Sequence, residues 1–190
     1  MNNQYIEDKI YEKKDFTTHP PPQADYDYCK FIQCDISNVD LSGCRFTDCE
    51  FLNCNLTLAK LNKTVFRDCK FDHCKMNWLV FDSSNDLGLS FNFQHCLLHH
   101  SSFYGAKIKK TNFIHCELVE ADFTGADLSG AVFDQSILRG TRFEQTNLET
   151  ADFRKALEFS IDPRVNRLKK AKFSMHGLAG LLEPFGIIVE

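Results

Sequence analysis

The chain has 190 residues, enough for one domain or one repeat array, and carries 26 acidic against 22 basic side chains, a formal charge of −4. That mild acidity argues against a general nucleic-acid binder and permits a protein partner with a basic surface. No secretory signal follows Met1 and no run reaches the roughly 18–20 apolar residues of a membrane span, so the expectation is a soluble, cytoplasmic chain.

Residues 1–23 mix polar and charged side chains and are expected to cap whatever follows. Pro20-Pro21-Pro22 suits an edge or a connection, because proline donates no ladder hydrogen bond.

From there a period of five takes over. Steps of five from Phe31 meet Ile36, Leu41, Phe46, Phe51, Leu56, Leu61, Phe66, Phe71, Met76 and Phe81. The rhythm slips by two residues, then resumes at Phe93 and runs through Leu98, Phe103, Ile108, Phe113, Leu118, Phe123, Leu128, Phe133, Leu138, Phe143 and Leu148 to Phe153. Neither the 3.6 of a helix nor the 2 of a strand gives this spacing. Most of the 18 phenylalanines fall on this centre position, and all nine cysteines fall two residues before it. Ala59, Ala106, Ala121, Ala126, Ala131, Thr141, Thr146 and Ala151 share the cysteine position, which reads as a small buried rung. Asp or Asn often precedes the centre, and Gly43, Gly105, Gly125, Gly130 and Gly140 follow it by two, where a corner needing positive φ is expected. Each five-residue unit is thus a short side and a turn, two side chains in and three out.

The run Ala-Asp-Phe-Thr-Gly-Ala-Asp-Leu-Ser-Gly at 121–130 resembles the signature of the pentapeptide-repeat family. The resemblance implies an all-β fold, a right-handed quadrilateral β-helix with four units per coil, so residues 20 apart stack. Residues 24–156 form this solenoid of six to seven coils, with a bulge or small loop at 82–92 joining two differently ordered halves. Residues 157–190 form a short helical and apolar C-terminal cap and dimerisation segment.

Three groups of side chains compete for a functional role. The stacked cysteines (29, 49, 69 and 34, 54, 74) read as small core residues, not as a redox or metal ladder. His95 and His115, one coil apart, with His99 and His100 around the next corner, read as solvated surface residues, so no metal and no cofactor are expected. Glu117, Glu120, Asp122, Asp127, Asp134, Glu144, Glu149 and Asp152 make a candidate acidic partner surface, spread over all four faces.

The C-terminal tail is strongly apolar. Leu178, Leu181, Leu182, Phe185, Ile187, Ile188 and Val189 are the expected homodimer interface, as a short helix followed by a strand. Ile161-Asp162-Pro163 and the Leu181-Leu182-Glu183-Pro184-Phe185-Gly186 ending are similar to the Qnr and MfpA quinolone-resistance members of the family. That similarity implies a rod-like dimer acting as a DNA mimic on DNA gyrase or topoisomerase IV. A filled interior and the lack of a Ser/His/Asp set, phosphate loop or HExxH motif favour a non-catalytic interaction scaffold. Its protein partner is not named by the sequence, and Trp78 is a reasonable contact point.

Overall fold

The computed structural model describes residues 4–81 and 89–187. Its eleven strands are β1 (Gln4–Glu7), β2 (Ile10–Glu12), β3 (Ala24–Asp27), β4 (Lys30–Ile32), β5 (Arg45–Thr47), β6 (Glu50–Leu52), β7 (Val65–Arg67), β8 (Cys69–Asp72), β9 (Phe91–Gln94), β10 (Asn112–Ile114) and β11 (Val132–Asp134). All pair in parallel, one coil to the next, as the sheets β1-β3-β5-β7 and β11-β10-β9-β8-β6-β4-β2. The register is 20 residues, with Phe31 opposite Phe51 and Phe113 opposite Phe133. A centre every five residues and a register of 20 make the β-solenoid four-sided. The other two sides are single bridges, such as Asp35↔Asn55 and Asp40↔Lys60.

The pentapeptide explains each part of this geometry. Large side chains at the centre are buried from Tyr11 to Phe153. The residue two later takes positive φ at corner after corner: Gly125 at 70°, but also Asn38 at 60°, Leu58 at 60° and Trp78 at 61°. Non-glycine residues adopt this conformation at a cost of roughly 1–2 kcal/mol each, which the ladder bonds and the filled core outweigh. Asp or Asn before the centre stabilises the corner directly, since its side-chain oxygen accepts the backbone N–H two residues on. Asp40 accepts from Ser42 N at 2.9 Å and Asp122 from Thr124 N at 2.9 Å.

The small rung does more than leave space. Its side chain donates to the carbonyl of the centre residue one coil back. Cys54 Sγ donates to Phe31 O at 3.2 Å, Thr64 Oγ1 to Leu41 O at 2.9 Å and Thr141 Oγ1 to Leu118 O at 2.7 Å. Cysteine, serine and threonine are the small residues able to do this, so their enrichment there follows from hydrogen bonding as well as volume.

N-terminal residues 4–16 cover the next coil by being wound as a coil themselves. β1 pairs with β3, Pro21 is buried, and Tyr26 Oη donates to Pro22 O at 2.6 Å. Within the 82–92 slip, residues 82–88 lie outside the described residues. On its far side the register has become 22: Cys69 sits opposite Phe91, and Phe71 opposite Phe93. Phe91 takes the rung position and touches Phe66, Phe81 and Phe93.

The two halves are ordered differently, as the sequence suggests, yet one column ignores the division. Tyr11, Phe31, Phe51, Phe71, Phe93, Phe113, Phe133, Phe153 and Phe173 stack with ring centroids 4.7–5.3 Å apart and planes within 17° of parallel. The second aromatic column first lies on the face preceding the continuous one (Tyr26, Phe46, Phe66); from Phe81, the last centre before the slip, it lies on the face opposite the continuous one (Phe81, Phe103, Phe123, Phe143). Its rings meet the continuous column edge-on, as in Phe103–Phe113 at 85°.

The tail comprises a 3-10 turn (His176–Leu178), α1 (Ala179–Leu182) and a second 3-10 turn (Glu183–Phe185). It docks on the tower through Ile161 N, which donates to Gly180 O at 2.9 Å. A Cβ at residue 180 would fall against the Phe159 carbonyl and ring, so that approach requires glycine. Among the described residues no helix is long and apolar enough to cross a membrane.

Candidate functional site: the outer corners and the tail

Among the described residues no charged or imidazole side chain is buried, so these groups lie on the corners, the outer faces or the tail. The nine cysteines are buried free thiols. Burial raises the thiols of Cys29, Cys44 and Cys69, and pushes Cys49 up to about 12. Of these, Cys29, Cys49 and Cys69 donate to backbone carbonyls, as at Cys49 Sγ to Thr47 O, 3.3 Å.

The acidic side chains expected as a partner surface are largely matched by bases. Asp122 pairs with Arg142 (3.5 Å), Asp127 with Lys109 (3.3 Å), Asp134 with Lys155 (3.1 Å), Glu149 with Arg167 (2.9 Å) and Asp152 with Arg154 (2.7 Å). Glu117 meets His99 at 2.9 Å and Glu120 meets His100 at 3.2 Å. Glu144 alone of the eight has no ion pair among the described residues. The faces therefore present alternating charge.

The histidines fall into ladders that the 22-residue register creates. His73, His95 and His115 stack at successive corners, with centroids 4.3 and 5.1 Å apart and planes 25° and 9° from parallel. Asp72 Oδ1 lies 2.8 Å from His73 Nδ1 and 3.4 Å from His95 Nδ1. Around the next corner Trp78, half-exposed, stacks on His100 at 4.1 Å and 13°. The sequence reading paired His95 with His115 but missed His73 and Asp72. A slip of two residues, added to 20, would have aligned 73 with 95.

In the tail, Leu181 packs against the core, whereas Leu178 and Ile187 are exposed; Ile188 and Val189 lie outside the described residues. The Ile161-Asp162-Pro163 segment has a visible task. Ile161 is buried, and Asp162 holds Arg164 by two short bonds, 2.7 and 3.0 Å. Arg164 then lies 4.4 Å above the Phe185 ring. Leu182 is half-buried.

A search of curated proteins finds no match. Among solved structures, the chain is similar to a trypsin-treated variant of QnrB1, a plasmid-mediated fluoroquinolone resistance protein. That match has 19% identity over 99% of this chain and 98% of the other, at a TM-score of 0.44. It is also similar to HetL, a pentapeptide repeat protein involved in heterocyst differentiation regulation from the cyanobacterium Nostoc sp. strain PCC 7120. There identity is 16% over 92% of this chain and 86% of the other, with a TM-score of 0.32. A pentapeptide repeat protein of the Arabidopsis thaliana thylakoid lumen matches at 19% identity over 72% and 59% of the two chains, TM-score 0.33. The pentapeptide repeat region family matches residues 24–92 and 88–153, and with four-sided coils built from its repeat throughout, the chain belongs to the pentapeptide-repeat family.

Proposed function

We propose that the protein is a non-catalytic scaffold whose outer faces bind another protein. The observation that carries this reading is the pairing of the acids. Five of the eight pair with lysine or arginine, so recognition rests on shape and on exposed apolar corners. Leu58, Trp78 and Val80 are the exposed apolar residues around one such corner. Nine buried thiols support operation in a reducing compartment such as the cytoplasm. To test it, a photocrosslinking residue beside Trp78 would be used to capture a partner, and the complex rebuilt from purified components. A stoichiometric complex weakened by Trp78→Ala supports the reading. Failure of any captured protein to re-form a complex overturns it.

A second reading is protection of DNA gyrase or topoisomerase IV from fluoroquinolones by a homodimeric DNA mimic. It is favoured by the tail alone, where Leu178, Phe185 and Ile187 remain exposed. Supercoiling and drug-stabilised cleavage measured with and without the protein test this reading; no effect at micromolar protein rejects it. Light scattering of a chain ending at Gly177 tests the dimer separately, and persistence of a dimer removes the tail as its interface.

A further inference from the structure

We propose that Asp72, His73 and His95 form a binding site for a divalent transition-metal ion of the zinc class. This site is independent of the scaffold reading and uses residues that reading leaves idle.

The ligand atoms of the three side chains all lie within 4.8 Å of one another. A tetrahedral ion with bonds of about 2.0–2.1 Å holds its ligands roughly 3.3 Å apart. The carboxylate-to-imidazole distances of 2.8 and 3.4 Å bracket that spacing. Small side-chain rotations suffice to place an ion among the three.

The backbone beneath them is fixed. His73 and His95 occupy equivalent corners at φ 52° and 51°. His73 N donates to Gln94 O at 3.0 Å and His95 N to Ile114 O at 2.9 Å, both ladder bonds. Parallel imidazoles one coil apart are thus presented in advance of any ligand, which limits the entropy lost on binding.

The donor set selects the ion. Two imidazoles and one carboxylate suit zinc(II), nickel(II) or copper(II) over calcium or magnesium, which favour all-oxygen shells. Thiolate does not contribute, because Cys74 and Cys96 point inward and donate to Phe51 O and Phe71 O. Asp72 has no Lys or Arg ion partner among the described residues to compete for its charge. His115, stacked beyond His95, offers a further imidazole; water completes the shell otherwise.

The test is titration of the full chain with zinc by calorimetry, and with cobalt by absorbance. The expected result is one equivalent bound, with cobalt d–d bands and no thiolate charge-transfer band. His73→Asn and His95→Asn, which tolerate positive φ, should each weaken binding by at least about tenfold. His99→Asn should leave it unchanged. In wild-type protein, the imidazole proton resonances of His73 and His95 should respond first, a readout needing no variant. Absence of saturable binding, equal affinity in the His73→Asn/His95→Asn double variant, or a sulfur charge-transfer band overturns the proposal.

Discussion

Phe71 and Phe93 stack ring on ring, with centroids 5.3 Å apart and planes 17° apart, although 22 residues separate them. Every other contact in their column spans 20. The column therefore crosses the slip intact, while the second aromatic column changes face there. Phe93 also meets Phe103 edge-on at 6.3 Å, so its ring joins both halves. Phe93→Ala should destabilise the protein by about 3–5 kcal/mol, read as a lowered urea midpoint, and Phe93→Leu by clearly less.

Rung residues should be judged by their hydrogen bond as well as their size. Thr141 donates to the Leu118 carbonyl at 2.7 Å in a buried setting. Thr141→Val keeps the volume but leaves that carbonyl only the Ala121 N–H at 3.1 Å, and should cost about 0.5–1.5 kcal/mol. Thr141→Ser keeps the donor and should cost less. Denaturant unfolding of the two variants decides between volume and bonding.

The thiols should be silent in the folded state. Burial raises Cys69 well above an ordinary thiol and Cys49 to about 12, which removes the reactive thiolate. A thiol-specific chromogenic reagent should find no fast-reacting cysteine in native protein and nine after unfolding in guanidinium. A rapid native reaction at even one would contradict the packing described for the rungs.

Acid should weaken the tower through its corner aspartates. The Asp152 carboxyl is held below its usual value chiefly by the Arg154 side chain, and Asp40 chiefly by Ser42. Because these folded-state values are depressed, the stability they confer is fully present above the unfolded value near 3.9 and is lost as pH falls through the lower folded values. Thermal midpoints should decline on acidification below about pH 4, and Asp152→Asn should flatten that decline.

Gly180 should prove intolerant. A methyl group there meets the Phe159 carbonyl and ring, so Gly180→Ala should release the tail. Faster amide exchange at Ile161, whose N–H bonds Gly180 O, is the measurement.

Much of this was legible in the sequence because the five-residue unit is local. Centre, rung, aspartate and corner each answer to a neighbour two residues away, so Phe123, Cys49 and Gly125 declare their places without reference to the rest. What the sequence hid were relations between coils across a change of register. His73 meets His95, and Trp78 meets His100, only at a separation of 22. The ion pairs escaped for a related reason. Apart from Asp152 and Arg154, which are two residues apart, their separations vary from 18 for Arg167–Glu149 to 21 for Lys155–Asp134, because long side chains lean along the tower and follow no fixed step.

The crossing at Phe71 and Phe93 also says how such a protein can change length. A circuit of 22 residues closes on the same ring column as a circuit of 20, so what the fold preserves is the return of each circuit to one anchored face. Insertions that restore that return leave the continuous ring column unbroken.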